Sequence, residues 1–290
     1  MVANAGGRAA ATDRASPRII ACIHPMSTPV PPSDAPKPSD TYVQSFARGL
    51  AVIRSFGAGA PSQTLSEVAA RTGLTRAGAR RILLTLEGLG YVRSEGRQFH
   101  LTARTLDLGF AYLSSLPLWN LAEPVMEALA AEVKESCSAA VLDGSDIVYV
   151  LRVPTHRIMS ITLGIGSRLP AFCTSMGRVL LAGLPPDEAS QRLLAAARPA
   201  MTARTLTSHD ALMAEIARVR EQGWCLVDQE LEAGLVSLAA PISDRSGRVI
   251  AALNLSAQAV ANPPAQMLQR CLPPLRAAAA RISSTLQMKA

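Results

Sequence analysis

One stretch of this chain, LSEVAARTGLTRAGARRILLTLEGLGYV (65–92), restricts its fold more than any other. Apolar residues recur at helical spacing on both sides of Gly73-Leu74, which predicts two short helices joined by a tight turn. At about 100° per residue, one sector of the second of these helices is apolar and must face a core. The pattern is typical of a helix-turn-helix. The predicted core sector contains Ala79, Ile82, Leu83, Leu86 and Leu89.

The flanking segments complete a winged helix-turn-helix. Upstream, QSFARGLAVIRSF (44–56) predicts a helix that the glycines and proline of 57–61 bring to an end. Thr75 is placed to cap the third helix, which we expect to run to about Leu89. Downstream, YVRSEGRQFHL (91–101) predicts two short strands around the turn pair Glu95-Gly96. The large apolar residues of the first helix recur at helical spacing: Phe46, Leu50, Ile53 and Phe56.

The face of the third helix opposite its core carries arginines. Arg80 and Arg81 project away from the core, Arg76 lies at the border, and small residues at 77 and 78 leave room for close approach to a surface. An arginine on such a helix can grip O6 and N7 of guanine with two hydrogen bonds, or bind a phosphate. Arginines also flank the turn of the wing, where they can reach the DNA backbone or the minor groove. We therefore expect DNA contacts from Thr75, Arg76, Ala77, Arg80, Arg81, Arg93 and Arg97.

A plainer interpretation of these arginines stays open. They can form a solvated helix face, and Arg81 can pair with Glu87 or Glu67. The charge distribution favours DNA binding, because residues 42–102 contain 8 basic and 3 acidic side chains, whereas 103–290 contain 17 and 16. A basic module joined to a nearly neutral one indicates a polyanion-binding part and a part with another task.

The remaining segments are organised around that module. Residues 1–41 are rich in Ala, Gly, Pro and Ser and are expected to be a disordered leader, within which Met26 offers a second start. TARTLDLGFAYLSS predicts a linker helix within 103–117. In 118–290, a hairpin around Asp143-Gly144, a strand in IMSITLGIG (158–166), three later strands and several helices indicate an α+β domain with an antiparallel sheet.

The number and spacing of the cysteines and histidines bear on metal binding and on the redox compartment. The 5 cysteines and 4 histidines are scattered without metal-binding spacing, so neither a metal nor a cofactor is indicated. An odd cysteine count without a secretory signal fits a reducing cytoplasm. Since no apolar run approaches the roughly 20 residues that span a bilayer, we expect no membrane segment.

The motifs resemble those of a known family. SFARGLAVIRSF, LSEVAARTGLTRAGARRILLTLEGLGYV and RTLDLG look like the IclR family of bacterial transcription regulators, and the likeness runs from about Tyr42 to the last helix. TSMGRVLLA, LVDQELEAGL and ALNLS are most similar to the subgroup that regulates aromatic-acid catabolism through the β-ketoadipate pathway. The resemblance implies a GAF/PAS-like effector domain that binds a small organic acid.

The start of the helix in TSMGRVLLAGL can be interpreted without the resemblance. Its free backbone N–H groups and positive dipole end favour an anion. Thr174 or Ser175 can instead serve only as a helix cap. Cys173 has no histidine near it in sequence, so a buried thiol is favoured over a nucleophile.

The resemblance adds further pocket positions. It places Asp228, Asn254 and Ser256 in the lining, and the last two share a strand face because they are two residues apart. Asp228 can instead be a turn or capping carboxylate. Leu238 and Leu253 would add apolar wall or simply belong to the core. The expected effector contacts are Cys173, Ser175, Met176, Asp228, Leu238, Asn254 and Ser256.

One position departs from the family pattern. Relatives often carry arginine where this chain has Val236. If that arginine pairs with the ligand carboxylate in relatives, this chain must use another group or take a less charged ligand. Arg152, Arg157 or Arg168 can substitute for it.

These observations predict a transcription regulator that is not an enzyme. Specific binding by a small winged helix requires two half-sites, so a homodimer or a dimer of dimers is expected, formed through the N-terminal domain and the linker helix. The expected partners are double-stranded DNA, a small organic or aromatic acid and RNA polymerase. Activation of an aromatic-acid catabolic operon is favoured. The alternatives are repression with a different carboxylate, a fused enzyme using Cys173 or Asp228, and a structural DNA-binding protein.

Overall fold

The computed structural model describes residues 41–115, 118–155 and 163–289. The predicted leader, except Thr41, therefore lies outside the described residues, as do Met26 and Arg157. The first part of the chain is a winged helix-turn-helix. Its elements are α1 (Gln44–Arg54), β1 (Ser62–Thr64), α2 (Leu65–Thr72), α3 (Arg76–Gly88), β2 (Val92–Glu95) and β3 (Gln98–Leu101).

Local side-chain chemistry sets the bounds of the helix-turn-helix. Thr64 caps α2 in a capping box with Glu67, which satisfies N–H groups that would otherwise lack partners. Gly73 then adopts φ 65°, a left-handed conformation that glycine tolerates without steric cost. The Thr75 hydroxyl accepts from the Gly78 N–H at 3.1 Å and caps α3 as predicted.

The core of this module differs from the prediction at Leu89. Ala79, Leu83 and Leu86 are buried as expected, but Leu89 is 53% exposed because α3 ends at Gly88 and the chain leaves the helical sector. Phe46 and Leu50, at helical spacing on α1, are also exposed, and Val52 supplies the buried contact of that helix. Strand β1 was not predicted. It pairs with β3, so the wing is a three-stranded sheet of order β1-β3-β2.

A short 3-10 turn (Ala103–Thr105) and α4 (Leu106–Ser115) follow the wing, in agreement with the predicted linker helix. Thr102 ties this turn to the end of α3, since its hydroxyl donates to the Gly90 carbonyl at 2.5 Å. The guanidinium of Arg104 lies over the Tyr91 ring, 5.6 Å from its centre.

The second part is an antiparallel sheet flanked by helices. Six strands are ordered β6-β5-β4-β9-β8-β7, and every pair is antiparallel. The predicted α+β class is confirmed. The elements are α5 (Leu118–Val133), β4 (Ser136–Asp143), β5 (Asp146–Val153), β6 (Arg168–Pro170), α6 (Ser175–Ala182), α7 (Pro186–Ala195), α8 (His209–Gln222), β7 (Cys225–Asp228), β8 (Leu235–Ser243), β9 (Val249–Gln258) and α9 (Pro264–Lys289).

The sheet separates two apolar cores. Side chains on one face pack against α5 and α9, including Leu238, Leu253 and Val236. Side chains on the other face pack against α6 and α8. The strand predicted in IMSITLGIG falls mostly outside the described residues, and its described end, 163–166, is a turn rather than a strand.

Candidate DNA-binding face and effector cleft

The front of α3 is open to solvent along its length. Arg76, Ala77, Arg80 and Arg81 are all exposed, as is the capping residue Thr75. The opposite side is fixed by the buried Ala79, Leu83 and Leu86. The helix therefore presents guanidinium groups on a surface whose rear is anchored in the core.

The ion pairs considered for Arg81 do not form. Glu67 is engaged by Thr64, and Glu87 accepts from the Ser94 N–H at 3.0 Å and from the Ser94 hydroxyl. Across the described ranges, Arg81 has no carboxylate within ion-pair distance, so its charge is available to a phosphate or a base.

The two arginines of the wing differ from one another. Arg93 pairs with Glu95 at 2.9 Å, and both side chains are well exposed. Such a surface pair contributes little to stability and can be exchanged for a phosphate contact. Arg97 lies next to the turn glycine Gly96, and no ion pair engages it in the described part of the chain.

A cleft opens on the α6 side of the large sheet. Its empty space, which includes volume open to solvent, is about 510 Å³. Helix α6 contributes its first turn and the sheet contributes β5, β7, β8 and β9. The lining residues are Tyr149, Arg152, Leu163, Thr174, Ser175, Met176, Val227, Leu231, Leu235, Ser237, Asn254 and Ser256.

Two lining residues hold buried polar atoms that lack partners. The Ser175 hydroxyl, on a residue 1% exposed, and Asn254 Oδ1, on a residue 3% exposed, form no hydrogen bond within the described structure. The Asn254 amide group instead donates to the Ser256 hydroxyl at 3.0 Å. Because buried polar groups are nearly always satisfied, these two atoms point to a ligand or water in the cleft.

Arg152 supplies a positive charge to the same cleft. It is half-buried, and none of the described carboxylates pairs with it. The cap role considered for Thr174 is observed, since its hydroxyl accepts from the Gly177 N–H at 3.2 Å. The Ser175 hydroxyl is therefore spare, and Thr174, Ser175 and Met176 bring the start of α6 to the cleft.

Four residues considered for the effector site lie outside the cleft lining. Leu238 is completely buried on the α5/α9 face, because the phase of β8 turns Ser237 toward the cleft instead. Leu253 also packs on the α5/α9 face, because on β9 it is the neighbouring Asn254 that faces the cleft. Asp228 forms an ion pair with Arg204 and accepts from the Gln229 side chain at 3.1 Å.

Cys173 is the fourth of these residues. Its side chain is completely buried in the α6/α8 core and donates weakly to the Pro170 carbonyl at 3.8 Å. Burial raises the pKa of Cys173 to about 12, so the thiol is protonated at neutral pH and is a poor nucleophile.

The arginines considered as substitutes for an arginine at position 236 also differ in whether they line the cleft. Arg152 lines the cleft, whereas Arg168 is held by Asp143 at 2.6 Å and Asp146 at 3.2 Å. Val236 itself points into the opposite core. The side chain at 236 therefore has no bearing on the charge of the cleft.

Sequence reasoning missed about half of the cleft. Tyr149 on β5, Leu231 and Leu235 near β8, and Ser237 were not predicted. Burial raises the pKa of Tyr149 to about 12, so its hydroxyl remains a donor at neutral pH. The alternation along β8 could have found Leu235 and Ser237, but only once the phase of that strand was known.

A buried ion pair lies behind the cleft. Arg178 on α6 donates through Nη1 and Nη2 to the two carboxylate oxygens of Glu230, at 2.7 and 2.5 Å. Its Nε donates to the Phe172 carbonyl at 2.9 Å. Burial disfavours the guanidinium charge, but the hydrogen bonds to Glu230 and the surrounding acidic groups together outweigh it and raise the pKa of Arg178.

Neither a metal site nor a membrane span is evident in the described ranges. These residues contain no cluster of His, Cys, Asp and Glu suited to a metal ion. They also contain no helix with the length and apolarity needed to cross a bilayer.

Comparison with known families identifies the chain. The model of the IclR helix-turn-helix domain matches residues 45–96, and that of the bacterial transcriptional regulator IclR C-terminal domain matches residues 110–284. The chain belongs to the IclR family. It is a DNA-binding transcriptional regulator, and the resemblance drawn from the motifs is confirmed.

Individual relatives point to the same subgroup. The chain is 45% identical to the Pca regulon regulatory protein of Pseudomonas putida, over 82% of each protein. It is 33% identical to the p-hydroxybenzoate hydroxylase transcriptional activator of Acinetobacter baylyi, over 82% of this chain and 90% of that protein. It also resembles an IclR homologue of Microbacterium hydrocarbonoxydans crystallised with 4-hydroxybenzoate, with a TM-score of 0.76, 27% identity, and coverage of 84% of this chain and 100% of that one.

Proposed function

We propose that this regulator controls an operon for the breakdown of an aromatic acid, and that a small carboxylate bound in the cleft sets its activity. The single observation that carries the ligand proposal is the convergence of three unengaged groups. Arg152, the Ser175 hydroxyl and Asn254 Oδ1 all line one cleft at the start of α6. A carboxylate supplies the negative charge that Arg152 lacks, and the polar atoms supply orientation.

The nature of the relatives supports an aromatic acid or one of its ring-cleavage products. One relative is named for the Pca regulon, another as an activator of a p-hydroxybenzoate enzyme, and a third was crystallised with 4-hydroxybenzoate. Activation, with a contact to RNA polymerase, is the favoured outcome, and repression is the alternative.

DNA recognition is assigned to α3 and the wing. Arg76, Arg80 and Arg81 would enter the major groove, with Thr75 and Ala77 allowing close approach. Arg93 and Arg97 would contact the backbone or the minor groove. Their exposure and the absence of acidic partners for Arg81 in the described chain support this assignment.

Two copies would bind one operator. Exposed apolar side chains on α1 and on α4 support pairing through these helices. They are Tyr42, Val43, Phe46, Leu50, Leu106, Leu108, Phe110 and Tyr112. We place the domain boundaries at 42–102, 103–117 and 118–290, and the protein in the cytoplasm, as a homodimer or a dimer of dimers.

An enzymatic role has less support. The thiol of Cys173 is buried and protonated, and the carboxylate of Asp228 is engaged by Arg204. Neither residue lines the cleft, so neither of the two side chains considered for catalysis faces the space where a substrate would sit.

The test is a footprint of the full chain on the DNA directly upstream of its own gene, with and without 4-hydroxybenzoate and β-ketoadipate. We expect two protected half-sites whose pattern or affinity changes with one acid. Protection that no acid alters would favour a structural DNA-binding protein, and turnover of either acid would favour an enzyme.

A further inference from the structure

The Arg178–Glu230 pair joins two segments that line the cleft. The Phe172 carbonyl, bound by Arg178 Nε, lies in the turn that leads to Thr174 and Ser175. Glu230 lies directly before Leu231, which also lines the cleft. Arg178 itself does not reach the cleft surface. The pair therefore links one wall to the other from behind.

Glu230 extends this link to a third segment. Its Oε2 accepts from the Leu206 N–H at 2.9 Å, and its backbone carbonyl accepts from the Thr205 hydroxyl at 2.6 Å. The Thr202 hydroxyl donates to the Gln229 carbonyl at 2.7 Å. The loop around 202–206 is thereby fastened to the turn that carries Leu231.

The turn at Gln229 needs such support. Gln229 has φ 61°, a left-handed conformation that is unfavourable for a residue with a side chain. Its N–H donates to the Leu235 carbonyl at 2.8 Å, and its side-chain oxygen accepts from the Gly234 N–H at 3.0 Å. The strained turn therefore bends the chain so that Leu231 and Leu235 both face the cleft.

Protein stability alone seldom explains a buried ion pair. Arg178 is 1% exposed, and apolar residues of similar volume in place of such a pair often leave stability unchanged or increase it. What the pair provides is directional contact: a guanidinium has a planar fork that fixes a carboxylate and a carbonyl in defined positions.

We propose that Arg178 and Glu230 are positioning residues for the effector cleft, holding its α6 wall and its Leu231 wall at the separation that a ligand requires. The proposal rests on the proposed function, in which the cleft binds a small carboxylate. Neither residue touches the ligand, and both act through the segments they hold.

The test compares two double variants with the wild-type chain. Arg178→Met/Glu230→Gln removes the charges but keeps an acceptor for the Leu206 N–H. Arg270→Met/Glu135→Gln is the control, because it removes another ion pair of this domain, joined at 2.9 Å between the exposed Arg270 and the buried Glu135, without altering a cleft residue. The first readout is backbone amide exchange without ligand in residues 171–177 and 229–235.

We expect exchange in both segments to be roughly tenfold faster in the Arg178 variant and unchanged in the control. Calorimetry with 4-hydroxybenzoate and β-ketoadipate should show affinity roughly tenfold lower in the Arg178 variant, while the control binds as the wild type does. If the double variant does not fold, Arg178→Lys replaces it, since a lysine cannot reach Glu230 and the Phe172 carbonyl with one fork.

Exchange that stays slow in both segments, or rises in only one, would overturn the positioning role. So would unchanged affinity for an acid that the wild type binds. If the wild type binds neither acid, the proposed carboxylate ligand fails, and amide exchange alone still decides whether the pair holds the two walls.

Discussion

At the scale of single residues, a comparison of two arginines of the DNA-binding module distinguishes base contacts from phosphate contacts. Arg80 lies on the exposed front of α3, whereas Arg97 lies on the wing. We expect Arg80→Ala to weaken binding to the natural operator by about 1–3 kcal/mol more than binding to random DNA. Arg97→Ala should weaken both equally. Fluorescence anisotropy at fixed salt measures the difference, and equal losses for Arg80→Ala would mean that it contacts phosphate only.

A second pair of arginines tests the charge of the cleft. Arg152 lines the cleft without a described carboxylate partner, whereas Arg168 is paired with Asp143 and Asp146 outside the lining. Since a charge-assisted hydrogen bond contributes about 1.5–3 kcal/mol, Arg152→Gln should weaken binding of 4-hydroxybenzoate roughly tenfold or more. Arg168→Gln serves as the control and should leave calorimetric affinity unchanged. The opposite ranking would remove Arg152 from the anion site.

The sequence could predict cleft residues where a local pattern fixes their position, but not where contacts between distant segments fix it. Asn254 and Ser256 were placed on one face because the two-residue period of a strand is local. Leu238 was placed wrongly, since the phase of β8 is set by its pairing with β7 and β9, which no short stretch encodes. Asp228 was misassigned likewise, because its partner Arg204 lies far along the chain in a loop.

At the scale of elements, long periodic helices and the two hairpins were predictable, whereas the shortest strands were not. Strands β1 and β6 have three residues each, too few to show a period, and they form only because β3 and β5 offer partners. Strand pairing of this kind depends on contacts distant in sequence. The helix caps at Thr75 and Thr174 could be predicted from the sequence, because a capping side chain and the N–H group that it binds are only three residues apart.

Packing of α6 against its preceding turn provides a prediction at this scale. A Cβ added at Gly177 would collide with the backbone of Ala171, which cannot yield as a flexible side chain can. We expect Gly177→Ala to lower the free energy of unfolding by about 2 kcal/mol. Gly88→Ala, in a helix with open space around it, should raise stability by up to about 1 kcal/mol. Thermal denaturation compares the two, and a neutral Gly177→Ala would show that α6 can shift away.

At the scale of the whole molecule, the proposed pairing of two chains is tested on exposed apolar side chains. Phe46 on α1 is 68% exposed and Phe110 on α4 is 69% exposed, unusual for phenylalanines in a protein with few aromatics. Exposed apolar side chains of this size are candidates for an interaction site. A ligand signal can reach DNA through such an interface only if the effector favours one arrangement of the paired modules over another.

Replacing both phenylalanines tests the assembly as a whole. We expect Phe46→Ser/Phe110→Ser to sediment as a monomer and to bind a two-half-site operator roughly a hundredfold more weakly, because the second half-site contact is no longer intramolecular. Binding of 4-hydroxybenzoate to the cleft should be unaffected, since neither residue lines it. Val260→Ser, at an apolar side chain that is 93% exposed elsewhere, is the control and should keep the wild-type sedimentation. A double variant that still sediments as a dimer and still protects both half-sites would place the interface on another surface.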